Sequence, residues 1–120
     1  MESVIEIRSY SLRPGMRERF HALMAQQGIP LLQRWQIAVV AFGPSLHDET
    51  SYCLIRVFAS LAALESSEEA LYGSEEWRQG PREAILACIE RYTDVVLPAH
   101  AQLLDTLRQL AAGATSEKGF

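Results

Sequence analysis

Basic residues are in short supply in this chain of 120 residues: 11 Lys and Arg stand against 15 Asp and Glu, a formal charge of -4. A nucleic-acid binder carries a basic patch or stripe, so that class is set aside. Long apolar runs are missing as well. The longest, residues 37–43, falls far short of the roughly 20 residues that span a bilayer, so no membrane association is expected. The 7 glycines form no phosphate-cradling loop. The two cysteines, Cys53 and Cys88, lack CxxC spacing and read as reduced, buried thiols. Histidine is scarce too. His47, Asp48 and Glu49 are adjacent, so they cannot all turn to one ion, and no second group is spaced to join them. His21 falls on the outer face of a helix, and His100 starts another. No metal or other cofactor is expected, and no Ser/His/Asp order is present. Met1 is followed at once by Glu2 and a strand-like segment, so no secretory leader is expected. The expected location is cytoplasmic.

What is present is the composition of one globular domain, 48% hydrophobic and 22% charged. A chain of this length buries roughly two thirds of its unfolded surface, enough for one core without staples. Residues 3–12 alternate: Val4, Glu6, Arg8 and Tyr10 fall on one face, Ile5, Ile7, Ser9 and Ser11 on the other. Pro14-Gly15 ends this strand. Met16, Phe20, Leu23, Met24 and Gln27 then form one helical stripe. Gly28-Ile29-Pro30 interrupts it, and a kinked second segment runs to Trp35. Residues 37–42 are a short apolar strand, broken by Gly43-Pro44. Residues 50–58 form its hairpin partner, with Tyr52, Leu54, Arg56 and Phe58 on one face and Cys53, Ile55 and Val57 on the other.

Ser60 is placed to cap the next helix, whose stripe is Leu61, Leu64, Leu71 and Tyr72. Gly73 stops it, and Ser74 caps a short turn holding Glu75, Glu76 and Trp77. Pro81 opens a helix with Ile85, Leu86 and Ile89 inward. Residues 90–97 alternate as a fourth strand and stop at Pro98. A last amphipathic helix, residues 99–111, carries Leu103, Leu104, Leu107 and Leu110 and ends at Gly113. The domain is read as residues 1–113, with 98–113 as C-terminal helix and 114–120 as a disordered tail.

The order β-α-β-β-α-β is the split βαβ, or ferredoxin-like, arrangement. It places both crossover helices on one face of a four-stranded antiparallel sheet, with the first strand between the third and fourth. The cleaner apolar set, Ile5, Ile7, Cys53, Ile55 and Val57, is assigned to the helices. The opposite face then carries Glu6, Arg8, Leu54, Arg56 and Phe58, with Tyr10 and Tyr52. Apolar groups of that size in water mark an interface, so a second copy is expected there, closing a dimeric α+β barrel. In this reading Glu6, Arg8 and Arg56 form an ion-pair network across the dimer.

Several stretches resemble the NIPSNAP family: I-E-I-R-S-Y-S-L-R-P-G-M-R-E-R-F (5–20), P-L-L-Q-R-W-Q-I-A-V-V-A-F (30–42), A-S-L-A-A-L-E (59–65), S-E-E-W (74–77) and V-V-L-P (95–98). The resemblance implies a dimeric ferredoxin-like α+β barrel, related in fold to small monooxygenases and the EthD group. It implies no particular reaction and does not extend beyond residue 98.

Arginine can take a carboxylate or phosphate through its planar fork, and aromatic residues can wall a pocket between sheet and helices. On those grounds Arg8, Tyr10, Trp35, Tyr52, Arg56 and Trp77 are the candidate ligand-binding residues. Three readings stay open. One is a homodimer that binds or transforms a small apolar or carboxylate-bearing molecule. The second is a non-enzymatic dimeric scaffold or protein-interaction module. The third is a cofactor-independent, monooxygenase-like or EthD-like enzyme.

Overall fold

A computed structural model describes residues 2–116, with the side chains of residues 2–110. The chain folds as β1 (Val4–Leu12), α1 (Arg17–Leu23), a π turn (Met24–Gly28), α2 (Ile29–Arg34), β2 (Ala38–Pro44) and β3 (Ser51–Phe58). There follow α3 (Leu61–Tyr72), α4 (Glu75–Arg78), α5 (Arg82–Cys88), β4 (Ile89–Pro98) and α6 (Ala101–Ser116). The sheet order is β2-β3-β1-β4 and every pairing is antiparallel, so β1 is central as expected. The hairpin, the caps at Ser60 and Ser74 and the Pro81 start are all in place. Ser60 accepts from the backbone N–H of Ala63, which satisfies a helix end that has no internal partner. Gly15 takes a positive φ of 81° in the turn out of β1, a conformation that other residues adopt only with strain.

The break expected at residues 28–30 is a π turn, and the helix continues through it. One extra residue in a turn retards the helical phase by roughly 100°, the angle of one residue at 3.6 per turn. Gly28 therefore takes the inward position that strict α periodicity gives to Gln27. Leu31 and Leu32 then straddle the core direction, and both are buried. Gln27 is exposed instead.

The assignment of sheet faces is reversed. Val4, Glu6, Arg8 and Tyr10 of β1 pair with Phe58, Arg56, Leu54 and Tyr52 of β3. Their common face lies under α1–α5 and not on the outside. Tyr10, Tyr52, Leu54 and Phe58 pack there with Phe20, Met24, Leu31, Leu64, Leu71 and Ile85 in the main core. Glu6, Arg8, Leu54, Arg56 and Phe58 are thus buried within one chain and are not a subunit interface. The physical reason is mutual compensation. The charges on this face are paired with each other and with acids from α3 and β4, so they can lie beneath helices at tolerable cost.

The opposite face carries Ile5, Ile7, Ile55 and Val57. It forms a smaller cluster with Ala99, Leu104 and Leu107, so α6 folds back across the sheet on the side away from α1–α5. This helix runs to Ser116, three residues past the expected stop at Gly113. The expected disordered tail therefore begins inside α6, and residues 117–120 lie outside the described residues. No helix among the described residues is long and apolar enough to cross a membrane.

Candidate functional site

Register fixes the site. The alternation of β1 puts Glu6 and Arg8 on the helix side, and the β3 and β4 partners put Arg56 and Asp94 beside them. From above, α3 contributes Glu68 and Tyr72, which share one helix face with Leu64 and Leu71. Arg56 is fully buried and donates from all three of its side-chain nitrogens. Its Nε donates to Glu6 Oε1 at 2.7 Å and its Nη1 to the Tyr72 hydroxyl at 2.9 Å. Its Nη2 reaches Glu68 Oε2 at 2.8 Å and also Glu6. Arg8 grips Asp94 with two parallel bonds, Nε to Oδ1 at 2.7 Å and Nη2 to Oδ2 at 2.8 Å. The same Nη2 lies 3.5 Å from Glu6 Oε2 and 3.8 Å from Glu68 Oε1. The Arg8 guanidinium also stacks on the Tyr92 ring, 4.4 Å from its centre.

Two guanidinium groups therefore face three carboxyl groups, one anion too many for neutrality. Glu6 absorbs the mismatch. Burial and a shared hydrogen bond with Glu68 push its carboxyl up to about 7, against the pull of Arg56 and Arg8. Asp94 goes the other way. Burial acts to raise it, but the paired bonds from Arg8 prevail and hold it below the ordinary carboxylate range. Burial acts against the charge on Arg8 as well, and the Asp94 bond overcomes it, so Arg8 stays cationic. Burial raises the Tyr10 and Tyr52 phenols, which keeps both protonated.

Beside this network is a cleft of about 270 Å³ between β1, β4 and the α3–α5 segment. Its floor is Arg8 and Tyr10, and its walls include Tyr72, Trp77, Ile85 and Ile89. Arg82, Leu86 and Tyr92 stand at the exposed rim. Behind Tyr10 a smaller apolar void of about 30 Å³ reaches Gly28 of the π turn. The ionisable side chains of the cleft are two arginines and three tyrosines, all able to donate a hydrogen bond and none a carboxylate.

Of the six candidate binding residues, the fold brings three to this cleft: Arg8, Tyr10 and Trp77. Arg56 sits one layer behind, acting on the cleft through Tyr72. Tyr52 is at the far end of the same face, its hydroxyl 2.6 Å from His21 Nδ1. His21 is accordingly half-buried and partnered, not free on an outer helix face. Trp35 lies outside the cleft and donates from Nε1 to Glu76 Oε1 at 2.9 Å, while Arg34 holds Glu76 Oε2 at 2.8 Å by Nε. That clasp ties the end of α2 to α4, the segment that carries Trp77.

The residues missed from sequence are Glu68, Asp94, Arg82 and Tyr92. Two of them had a signal. Leu64, Glu68, Leu71 and Tyr72 fall at i, i+4, i+7 and i+8, so Glu68 belongs to the inward stripe of α3. Asp94 lies between Tyr92 and Val96 in the alternation of β4. Among the described residues no cluster of His, Cys, Asp or Glu is built to hold a metal ion, and both cysteines are free.

The same fold recurs in solved structures. A NIPSNAP-like domain protein from Burkholderia xenovorans superposes with a TM-score of 0.75 at 17% identity, covering 83% of this chain and 87% of that one. A NIPSNAP family protein from Agrobacterium tumefaciens gives 0.74 at 16% identity, covering 83% and 88%. A candidate antibiotic biosynthesis monooxygenase from Bordetella bronchiseptica gives 0.67 at 20% identity, covering 83% and 99%. At these identities the likeness is one of fold. No curated protein matches the chain. The family model for NIPSNAP matches residues 5–99, from the start of β1 through the end of β4. The chain, with its split βαβ order and its helix-covered charged sheet face, belongs to the NIPSNAP family.

Proposed function

We propose that this protein binds a small, mainly apolar molecule in the cleft between β1, β4 and the α3–α5 segment, and that it works as a homodimer. The observation that carries the first part is the cleft itself, about 270 Å³ and floored by Tyr10 and Arg8. Most of its wall is aromatic or aliphatic, which is the usual make-up of a small-molecule site. Its ionisable side chains are donors, so it suits a ligand that presents an acceptor. Removal of a substrate proton needs a base within reach of the reacting atom, and that lining holds neither a carboxylate nor a histidine. Binding is therefore preferred to acid–base catalysis.

The support for a second copy has moved to the other side of the sheet. Val95 and Leu97 of β4 share a face with Ile7 and Ile5, and they are 52% and 45% exposed. Leu103 of α6, next in sequence to Leu104 of that cluster, is also exposed. Exposed apolar side chains of this kind are suited to an isologous contact.

The cleft reading is tested by NMR titration of the protein with hydrocinnamyl alcohol, a neutral aromatic of suitable size. Saturable shifts of the Trp77 indole and of the Ile85 and Ile89 methyl groups are expected. Shifts confined to other surfaces, or none at saturation of the probe, would sink it.

A further inference from the structure

Two residues of the cleft floor keep protons to spare. Arg8 spends Nε and Nη2 on Asp94 and leaves Nη1 without an acidic partner among the described residues. The Tyr10 hydroxyl lies close enough to Arg8 to accept from it, and its own proton has no acceptor among the described residues. Both residues are more than nine-tenths buried, Arg8 at 7% exposure and Tyr10 at 6%. Yet no side-chain nitrogen or oxygen that is sealed from solvent lacks a partner. Arg8 Nη1 and the Tyr10 hydroxyl are therefore reached by solvent, and the cleft is a space that both residues line. An apolar ligand alone would leave them unsatisfied, since only a group with lone pairs can answer two convergent donors.

Both donors are also held still. The Tyr10 ring is wedged between Phe20 at 5.1 Å and Tyr92 at 6.1 Å. Arg8 is pinned by its Asp94 fork and by the Tyr92 ring. Fixed donors lose little freedom on binding, which is how a preorganised site gains affinity.

We propose that the cleft floor takes the carboxylate of a small monocarboxylic acid, with the Tyr10 hydroxyl and Arg8 Nη1 donating to it, and that Glu6 takes up a proton as the acid binds. The acid's apolar body lies against Trp77, Ile85 and Ile89. This rests on the cleft being a ligand site and adds the class of ligand. A volume of about 270 Å³ is that of roughly nine waters at ~30 Å³ each, so the ligand is on the scale of hydrocinnamate. Proton uptake follows from the charge count. With Glu6 ionised, Arg8 and Arg56 face Glu6, Glu68 and Asp94, a net negative cluster that repels an incoming anion. With Glu6 protonated the cluster is neutral and Arg8 can accept one. Glu6 is faced by Arg56 from β3, Arg8 from its own strand, Glu68 from α3 and Asp94 from β4. Its carboxyl already sits at about 7, where a nearby anion can tip it.

The test compares hydrocinnamate with hydrocinnamyl alcohol on the wild type and on Tyr10→Phe, by calorimetry and by the NMR shifts at Trp77 and Ile85. Tyr10→Phe removes one hydroxyl and keeps the ring in its place between Phe20 and Tyr92, so the variant should fold as the parent does. The acid is expected to bind at least about tenfold tighter than the alcohol, the scale of a hydrogen bond to a charged group. Tyr10→Phe should erase most of that preference, weakening the acid by several-fold more than it weakens the alcohol. Between pH 6 and 8, either side of the Glu6 value of about 7, acid affinity should fall with rising pH while alcohol affinity stays level. Glu6→Gln should abolish that dependence. Equal binding of acid and alcohol would overturn the carboxylate assignment and leave the cleft reading standing. Binding of neither at the cleft would overturn both. A preference that ignores pH would overturn the proton uptake.

Discussion

Replacing Glu6 by glutamine tests the charge arithmetic of the buried network, because it keeps the shape and removes the surplus anion. In the folded chain Glu6 titrates at about 7 against an ordinary 4.5. A raised acid binds its proton more tightly when folded than when unfolded. Its contribution to stability is therefore complete below 4.5 and is lost as pH rises toward 7. The full loss is about 3 kcal/mol at ~1.36 kcal/mol per tenfold change. Between pH 5 and 8 the part lost is about 2.5 kcal/mol. Glutamine cannot titrate, so this loss is absent from Glu6→Gln. Arg56 keeps Glu68, Arg8 keeps Asp94, and the cluster becomes two cations facing two anions. The stability of the variant relative to the parent should thus improve by about 2.5 kcal/mol from pH 5 to pH 8. Urea unfolding followed by circular dichroism at both pH values measures it, and taking the difference between the proteins cancels every other titrating group. If Glu6 were instead an ionised partner held low by Arg56, removing its charge would break a buried pair and cost about 3–5 kcal/mol at pH 8. A variant that is worse at pH 8 than at pH 5, or a gap that does not move, would refute the reasoning.

Arg56→Leu should lower stability by about 3–5 kcal/mol, because it strips Glu6 and Glu68 of their shared cation in a dry site. His21→Ala should cost about 1 kcal/mol, the worth of one hydrogen bond to Tyr52. Urea midpoints separate the two, and light scattering should give both variants the parent mass, since neither residue lies on the outer sheet face. Leu97→Glu, in contrast, should halve the mass seen by light scattering at micromolar concentration and leave the circular dichroism of the folded chain unchanged. A dimer that persists in this variant would remove β4 from the proposed contact.

The order of elements could be read directly, since β1, β3 and β4 alternate and most helix starts carry a Ser, Pro or Gly signal. The sidedness of the sheet could not. Alternation says which residues share a face and is silent on which face meets the helices. Hydrophobicity pointed the wrong way because Ile5, Ile7, Ile55 and Val57 are more apolar than Glu6, Arg8 and Arg56. What decides the matter lies far off in sequence: Glu68 and Asp94 supply the anions that let two arginines be buried. Those acids lie on two elements distant from the arginines in sequence, so their partnership exists only once β1 is flanked by β3 and β4 and roofed by α3. The π turn was half visible. Gly28 and Pro30 mark a disturbance, but the added residue that turns Gly28 inward in place of Gln27 leaves no mark of its own.

The clasp of Glu76 on Arg34 and Trp35 has a consequence for how fast anything could exchange with the cleft. Trp77 is the next residue along, on a helix of four residues that has few bonds of its own. That panel is fastened from the outside, by exposed charges that salt screens and that hold only weakly. Trp77 is held from within as well, its ring 5.2 Å from that of Tyr72. High salt is therefore expected to loosen the outer fastening alone, raising the rate of exchange at the cleft more than it changes the affinity that Arg8 and Tyr10 provide.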